Sequence, residues 1–310
     1  MRTLAFLSVA LTAGANASFD LILVADNTGS FTGPVTSKVH RYDGDSGVYL
    51  GYFDAGLNPI QDLAVNGATN EAFVATMNGV NVYNIGTGAL KRQIGTGNTG
   101  ALKMHNGELY RTTGTQLFRV NQTTGANTLV KTWTSAISDF AFSGNGSYML
   151  YNSPSKLLEG FNSSGVLGTS FTATALSAST GRVSFDGGNP NYFYLMGDAP
   201  APTAGIYYGT VTAAGTYALN NANWSNTFFQ SFLDIAPSHT GFWMYGNTGG
   251  TNERFLVRMN SGIGAGGDHF FKTPQVTNAG QIAVVLAPEP GTFIAVGVGV
   301  AALLKRRKRR

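Results

Sequence analysis

Four histidines, a short acidic loop and three tryptophans are the residues of this 310-residue chain best suited to chemistry. His40, His105, His239 and His269 could act as acid, base or metal ligand. None falls in an HxH or HExxH spacing, and a lone His in a strand or loop is more often structural. Asp43-Gly44-Asp45-Ser46-Gly47 offers two carboxylates and nearby carbonyls, the oxygen-rich set that calcium prefers. A complete EF-hand loop closes with Glu at its twelfth position, where this chain has Asp54, and the rest of that pattern is missing. The expected role is a hairpin turn, with a calcium site at Asp43 and Asp45 as the alternative. Asp26, Asp62, Asp139, Asp186 and Asp234 stand at or near the openings of strand-like runs, where turn capping is expected.

Aromatic side chains dominate core burial, so Trp133 and Trp243 are expected between packed sheets. Trp224, in the Asn-rich NNANWSN segment read as a loop, is the candidate ligand contact, a face on which a sugar ring could stack. No G-x-S-x-G elbow and no phosphate-binding Gly loop between a strand and a helix occur. The chain has no cysteine, which excludes thiolate nucleophiles and thiolate metal sites. No catalytic set is legible, and no cofactor is expected apart from the calcium alternative.

The elements that must position these residues are strands. No long segment carries a 3.6-residue apolar period; short alternating runs recur instead, separated by Gly, Asn, Asp and Ser turns roughly every 8 to 12 residues. Aligning the turns exposes a longer unit of four strand-like runs, starting at Ile60, Ala101, Ile137, Gly181 and Phe232. A period of roughly 36 to 50 residues with four strands is the size of a propeller blade. The stretch from Phe19 supplies about three further strands and QVTNAGQIAVVLAP one or two more, enough for a composite blade shared between the ends. An all-β propeller of six blades is therefore expected over residues 18–286. Insertions in the fourth and fifth units leave five or seven blades open, and a β-sandwich is the structural runner-up. The pattern resembles the general propeller repeat of secreted bacterial proteins, which implies fold and not function.

Charge is distributed unevenly. The formal net charge is +4, from 20 Lys and Arg against 16 Asp and Glu, but Arg2 and the last six residues hold seven of the cations. Setting these and Glu289 aside leaves 13 basic against 15 acidic groups, a net of −2 for the body. Scattered cations on a slightly acidic body exclude a nucleic-acid-binding face, which needs clustered Lys and Arg.

Both ends read as targeting segments. Residues 1–17 order a basic residue, an apolar run and Ala15-Asn16-Ala17, the pattern of a signal peptide cut after Ala17 to leave Ser18 first. At the other end, Thr292 to Leu304 is an uncharged apolar run of about 13 residues, roughly 20 Å as a helix and short for a full span. Lys305, Arg306, Arg307, Lys308, Arg309 and Arg310 follow it, and the positive-inside bias keeps such a cluster cytoplasmic while the body is translocated.

Pro288-Glu289-Pro290, the apolar helix and the basic cluster, in that order over residues 287–310, resemble the PEP-CTERM sorting signal of Gram-negative bacteria. That resemblance implies recognition by an exosortase after passage through the secretion machinery and transient inner-membrane insertion. It also implies an exported protein of exopolysaccharide-producing, often biofilm-forming cells. The leading expectation is a non-enzymatic binding or structural module at the cell surface or in the extracellular matrix, with exopolysaccharide or a matrix protein as partner. The alternative is a secreted propeller hydrolase or lyase, calcium-dependent in one version, with its site at the central channel.

Overall fold

The computed structural model describes residues 20–28, 36–97, 99–174, 181–198, 204–213, 215–226, 229–248, 253–260 and 267–286, and these contain strands and turns with no helix. The first sheet takes β1 (Leu21–Thr28), β2 (Thr36–Asp43) and β3 (Tyr49–Gly56) from the start of the chain. The second is β4 (Ile60–Asn66), β5 (Glu71–Thr76), β6 (Gly79–Asn84) and β7 (Leu90–Ile94). The third is β8 (Leu102–His105), β9 (Glu108–Thr113), β10 (Gln116–Val120) and β11 (Asn127–Thr132). The fourth is β12 (Asp139–Phe142), β13 (Tyr148–Asn152), β14 (Leu157–Phe161) and β15 (Leu167–Thr172). The fifth is β16 (Arg182–Phe185), β17 (Tyr192–Asp198), β18 (Ala204–Ala213) and β19 (Thr216–Asn226), and the sixth β20 (Phe229–Pro237), β21 (Gly241–Thr248), β22 (Arg254–Asn260) and β23 (Gly267–Lys272). β24 (Ala279–Val285) returns to the first sheet and pairs antiparallel with β1, Leu21 opposite Val285.

Six four-stranded antiparallel sheets, each joined innermost strand to innermost strand, make a six-bladed β-propeller. The observed blades open within a few residues of the five starts read from the sequence, and the ends share one blade as expected. The core is divided into six apolar clusters, one at each blade junction. Packing follows position across the blade. β5, second from the axis, is buried at all six residues, whereas the outer strand β11 is exposed at five of six. Blades converge on the axis and splay outward, so both faces of an inner strand are covered and an outer strand alternates or stands open. Trp133 and Trp243 fill junction clusters, and their indole N–H groups donate to Glu159 (2.6 Å) and Asp20 (2.9 Å).

Turn chemistry repeats with the blades. Asn106-Gly107 joins β8 to β9 with φ of 49° and 76°, the two positive values that a tight hairpin of matching twist requires. Each outer hairpin of the first four blades opens on Asp or Asn and ends on a Gly at φ 70–77°: Asp43 to Gly47, Asn84 to Gly88, Asn121 to Gly125 and Asn162 to Gly165. The opening side chain accepts backbone N–H bonds from inside its own turn, as Asp43 does from Asp45 and Ser46. Asp43 thus occupies the position that Asn fills in the next three blades, and the hairpin reading of this loop is the one its geometry supports.

Because β24 is innermost and hydrogen-bonded along β1, the ring closes only when the two ends of the body meet. A chain ended after Pro274 should lack a single cooperative thermal transition, while one ended after Leu286 should keep it. Circular dichroism melts of the two truncations check this, and equal cooperativity would refute the closing role of β24.

Candidate functional site

Charged side chains meet at the axis. Asp62 on β4, Asp139 on β12 and Asp234 on β20 belong to alternate blades and are at most 4% exposed. Two of them sit at an irregularity of the innermost strand, where the pairing register shifts between Ile60 and Asp62 and between Phe232 and Asp234; Asp139 opens the regularly paired β12, just after Ser138, whose N–H donates to the Tyr151 carbonyl (2.8 Å). An extra residue in one strand re-aims the next side chain, and at Asp62 and Asp234 it turns the carboxylate along the ring instead of into a blade.

Each carboxylate then bridges to the following blade. Asp62 accepts from the N–H of Leu63 (2.8 Å) and of Leu102 on β8 (2.6 Å); Asp139 accepts from Val183 on β16 (2.8 Å); Asp234 accepts from Ile235 (2.9 Å) and from Ile282 on β24 (2.8 Å). The junctions between are spanned by ion pairs, Lys103 to Asp139 at 3.4 Å and Arg182 to Asp234 at 3.6 Å. The junction between the first two blades is spanned by Asn27, whose amide donates to the Ile60 carbonyl (3.0 Å) and accepts from its N–H (2.8 Å). The result is a circuit of polar contacts across all six junctions, five of them between innermost strands and the sixth from β1 to β4.

Three carboxylates face two cations, and among the described residues Asp62 has no ion-pair partner. Burial pushes the Asp62 carboxyl up to about 7, against the pull of Lys103 and with the charge of Asp234 adding to the rise. Asp234 is raised by burial as well, opposed by Lys103 and Arg182. Burial works against the charge on Lys103, but Asp139, Asp62 and Asp234 outweigh it and raise its pKa. Lys103 and Arg182 keep 21% and 27% of their side-chain surface open, so the channel is reached by solvent at the cations and closed over the carboxylates. A carboxyl that titrates near neutrality has the pKa of a general acid or base, yet both oxygens of Asp62 are occupied by backbone donors.

The other predicted residues lie elsewhere. Asp26 and Asp186 do cap turns: Asp26 accepts from Thr277 (3.0 Å) and Asn278 (2.8 Å), and Asp186 from Gly188 (2.8 Å) and Asn189 (2.9 Å). For Asp62, Asp139 and Asp234 the turn-capping expectation gives way to the inter-blade bridge, because each carboxylate accepts a backbone N–H of the next blade's innermost strand. The four histidines do not converge. His40 is buried in the first blade between Asp26 (3.3 Å) and the Tyr49 hydroxyl (3.2 Å), and His105 stacks on Phe142 with its pKa lowered by burial. His239 is 3.6 Å from Asp20, and His269 contacts Arg258, whose guanidinium reaches Asp45 at 3.4 Å.

Trp224 stands in the outer strand β19 opposite Ile206, not in a loop. The Asn-rich segment continues the antiparallel ladder from Tyr217, so pairing overrides its turn-like composition. Asp43 and Asp45 belong to the first outer hairpin, and among the described residues no group of three or more His, Asp or Glu is placed to hold a metal ion. Among those residues, too, no helix is long and apolar enough to cross a membrane. Ala15, Ala17 and Ser18, Pro288, Glu289 and Pro290, and the basic residues Lys305 to Arg310 lie outside the described residues.

A closed ring of six blades with a charged axis defines a β-propeller protein, and comparison with solved structures agrees. The chain is similar in fold to a chain of the nidogen/laminin complex (11% identity, TM-score 0.61, 86% of this chain and 98% of that one) and to a protein of unknown function from Bacteroides caccae (12%, 0.61, 87% and 100%). It is also similar to hydrazine synthase of Kuenenia stuttgartiensis (13%, 0.51, 72% of each chain). At such identities the likeness is one of fold alone. No curated protein matches the sequence. Residues 286–310 match the PEP-CTERM protein-sorting motif, one residue longer than the segment read from the sequence. The chain is thus a propeller bearing a PEP-CTERM motif, which implies an exported, membrane-transiting precursor sorted by an exosortase.

A carboxyl raised in the folded state stabilises it most below the unfolded value near 4, and that contribution disappears as pH rises to about 7. Asp62→Asn should remove this slope, worth on the order of a few kcal/mol. Denaturant midpoints measured from pH 4 to 8 on both proteins check it; parallel curves would show that Asp62 does not carry the proton.

Proposed function

We propose that the mature propeller is a binding or structural module of the bacterial cell surface or exopolysaccharide matrix, delivered there by exosortase processing. The observation that carries this reading is the sorting motif joined directly to a closed propeller. Two further features support it. The carboxylates on the axis are engaged in holding blades together, and the outer hairpins present hydroxyl, amide and backbone groups of the kind that meet polysaccharide hydroxyls.

One observation favours a second reading. Three carboxylates do converge at the channel, as a hydrolase or lyase sited there requires. Its calcium-dependent version meets an obstacle at Asp43, where Oδ1 already accepts from Asp45, Ser46 N–H and the Ser46 hydroxyl.

Replacing Glu289 with Ala, or removing Lys305 to Arg310, should leave uncleaved precursor in the membrane fraction; unchanged processing would overturn the sorting step. Purified mature propeller should be retained on extracellular matrix from the producing strain and should bind polysaccharides on a glycan array. Loss of all matrix retention would remove the binding-module reading. Release of shortened oligosaccharides from that matrix would establish the enzymatic one instead.

A further inference from the structure

We propose that, in the membrane-held precursor, the propeller face carrying the outer hairpins lies against the lipid surface. The inference rests on the anchored-precursor reading and adds an orientation to it. Val285, the last residue of β24, is opposite Leu21, which is opposite Asp43, where the first outer hairpin begins. The chain therefore leaves the ring on the hairpin face. It leaves beside the channel, because β24 is the innermost strand of its blade.

The tether that follows is short. The sorting motif starts at residue 286, Pro288 is three residues beyond Val285, and the apolar run begins at Thr292. At 3.3–3.6 Å per residue, Pro288 can stand at most about 10 Å from the end of β24, and Thr292 about 25 Å. To place the opposite face on the lipid, the tether would have to cross a four-stranded blade and descend its rim. That path is about 14 Å across, at about 4.8 Å per strand spacing, and about 23 Å along a seven-residue strand. About 37 Å exceeds the reach of the segment. An edge-on ring needs the tether nearly straight, whereas the hairpin face can rest on the surface with slack.

The chemistry of that face suits lipid headgroups. Ser46, Thr87, Thr123, Thr124, Ser163 and Ser164 are exposed there on consecutive blades. The turn N–H groups are taken up by the opening Asp or Asn, and the donors turned outward are hydroxyls such as those of Thr123, Thr124, Ser163 and Ser164, which suit phosphate oxygens without requiring apolar insertion. The splayed blades set these hairpins around the exit point of β24, so one short tether brings several of them to the surface together.

The absence of cysteine makes the test direct, since one introduced thiol is the sole labelling site. Full-length chains carrying Thr123→Cys or Ser163→Cys on the hairpin face, or Met77→Cys on the opposite face, are labelled with a fluorophore. They are then reconstituted without exosortase in vesicles of phosphatidylethanolamine and phosphatidylglycerol containing a headgroup-attached quencher. The expected result is severalfold stronger quenching at positions 123 and 163 than at 77, and loss of the difference when about 20 Gly and Ser residues are inserted after Leu286. Equal quenching on both faces of vesicle-bound chain would overturn the orientation alone. A difference that appears only after exosortase is added would assign the face to a protein partner and overturn the lipid contact. A chain that does not associate with vesicles would overturn the anchored-precursor reading and the orientation with it.

Discussion

Six blades could slide or open at any of their junctions were they held by apolar packing alone, which has no direction. The contacts beside the axis supply direction. Three carboxylates, two cations and one asparagine link each blade to the next, five of the six junctions between innermost strands and the sixth from Asn27 on β1, and most of them grip a backbone N–H or carbonyl of the neighbouring blade. Burying a carboxylate is unfavourable unless its oxygens are satisfied. Here the satisfying donors are backbone groups of the neighbouring blade as well as its own, so the ring and the satisfaction of its charges are mutually dependent. Taking away one blade would leave a buried charge and a buried backbone group without partners.

The circuit has a two-blade period within a six-blade ring. Gln61-Asp62-Leu63-Ala64, Ser138-Asp139-Phe140-Ala141 and Leu233-Asp234-Ile235-Ala236 occupy alternate blades, and the blades between supply Leu102, Val183 and Ile282 as donors. Approximate threefold symmetry is thus laid over sixfold architecture. Lys103 and Arg182 balance two of the three carboxylates. In the first blade neutral Gln281 precedes the donor Ile282 as Arg182 precedes the donor Val183, so no cation is supplied there, and among the described residues Asp62 is left without an ion-pair partner. The last link, Asp234 to Ile282, holds the strand after which the sorting motif begins, so ring closure and export signal are neighbours in the chain.

Much of this was legible beforehand. The alternating runs and the turn spacing located the blades from Ile60 to Phe232 and the composite blade, because hairpin turns and strand periodicity are local properties. Asp43 could be read as a hairpin residue for the same reason. Two things were hidden. Trp224 sits in a segment whose Asn content suggests a loop, and only the ladder formed with β18 makes it a strand. The roles of Lys103 and Arg182 carried no local signal at all; the repeated Asp-apolar-Ala triplets were the one available hint that Asp62, Asp139 and Asp234 share a task.

By itself the sequence determined the strands, their turns, the four-strand repeat and the C-terminal sorting motif, each of which depends on residues within a few positions of one another. Tertiary structure alone decided which distant charges face each other across the channel, which carboxylate is left without a cation, and on which face the chain leaves the ring. Those outcomes depend on ring closure, which brings Asp62, Asp139 and Asp234 together although 77 and 95 residues separate them in turn. Electrostatic contact follows distance in space, and no period read along the chain reports that distance.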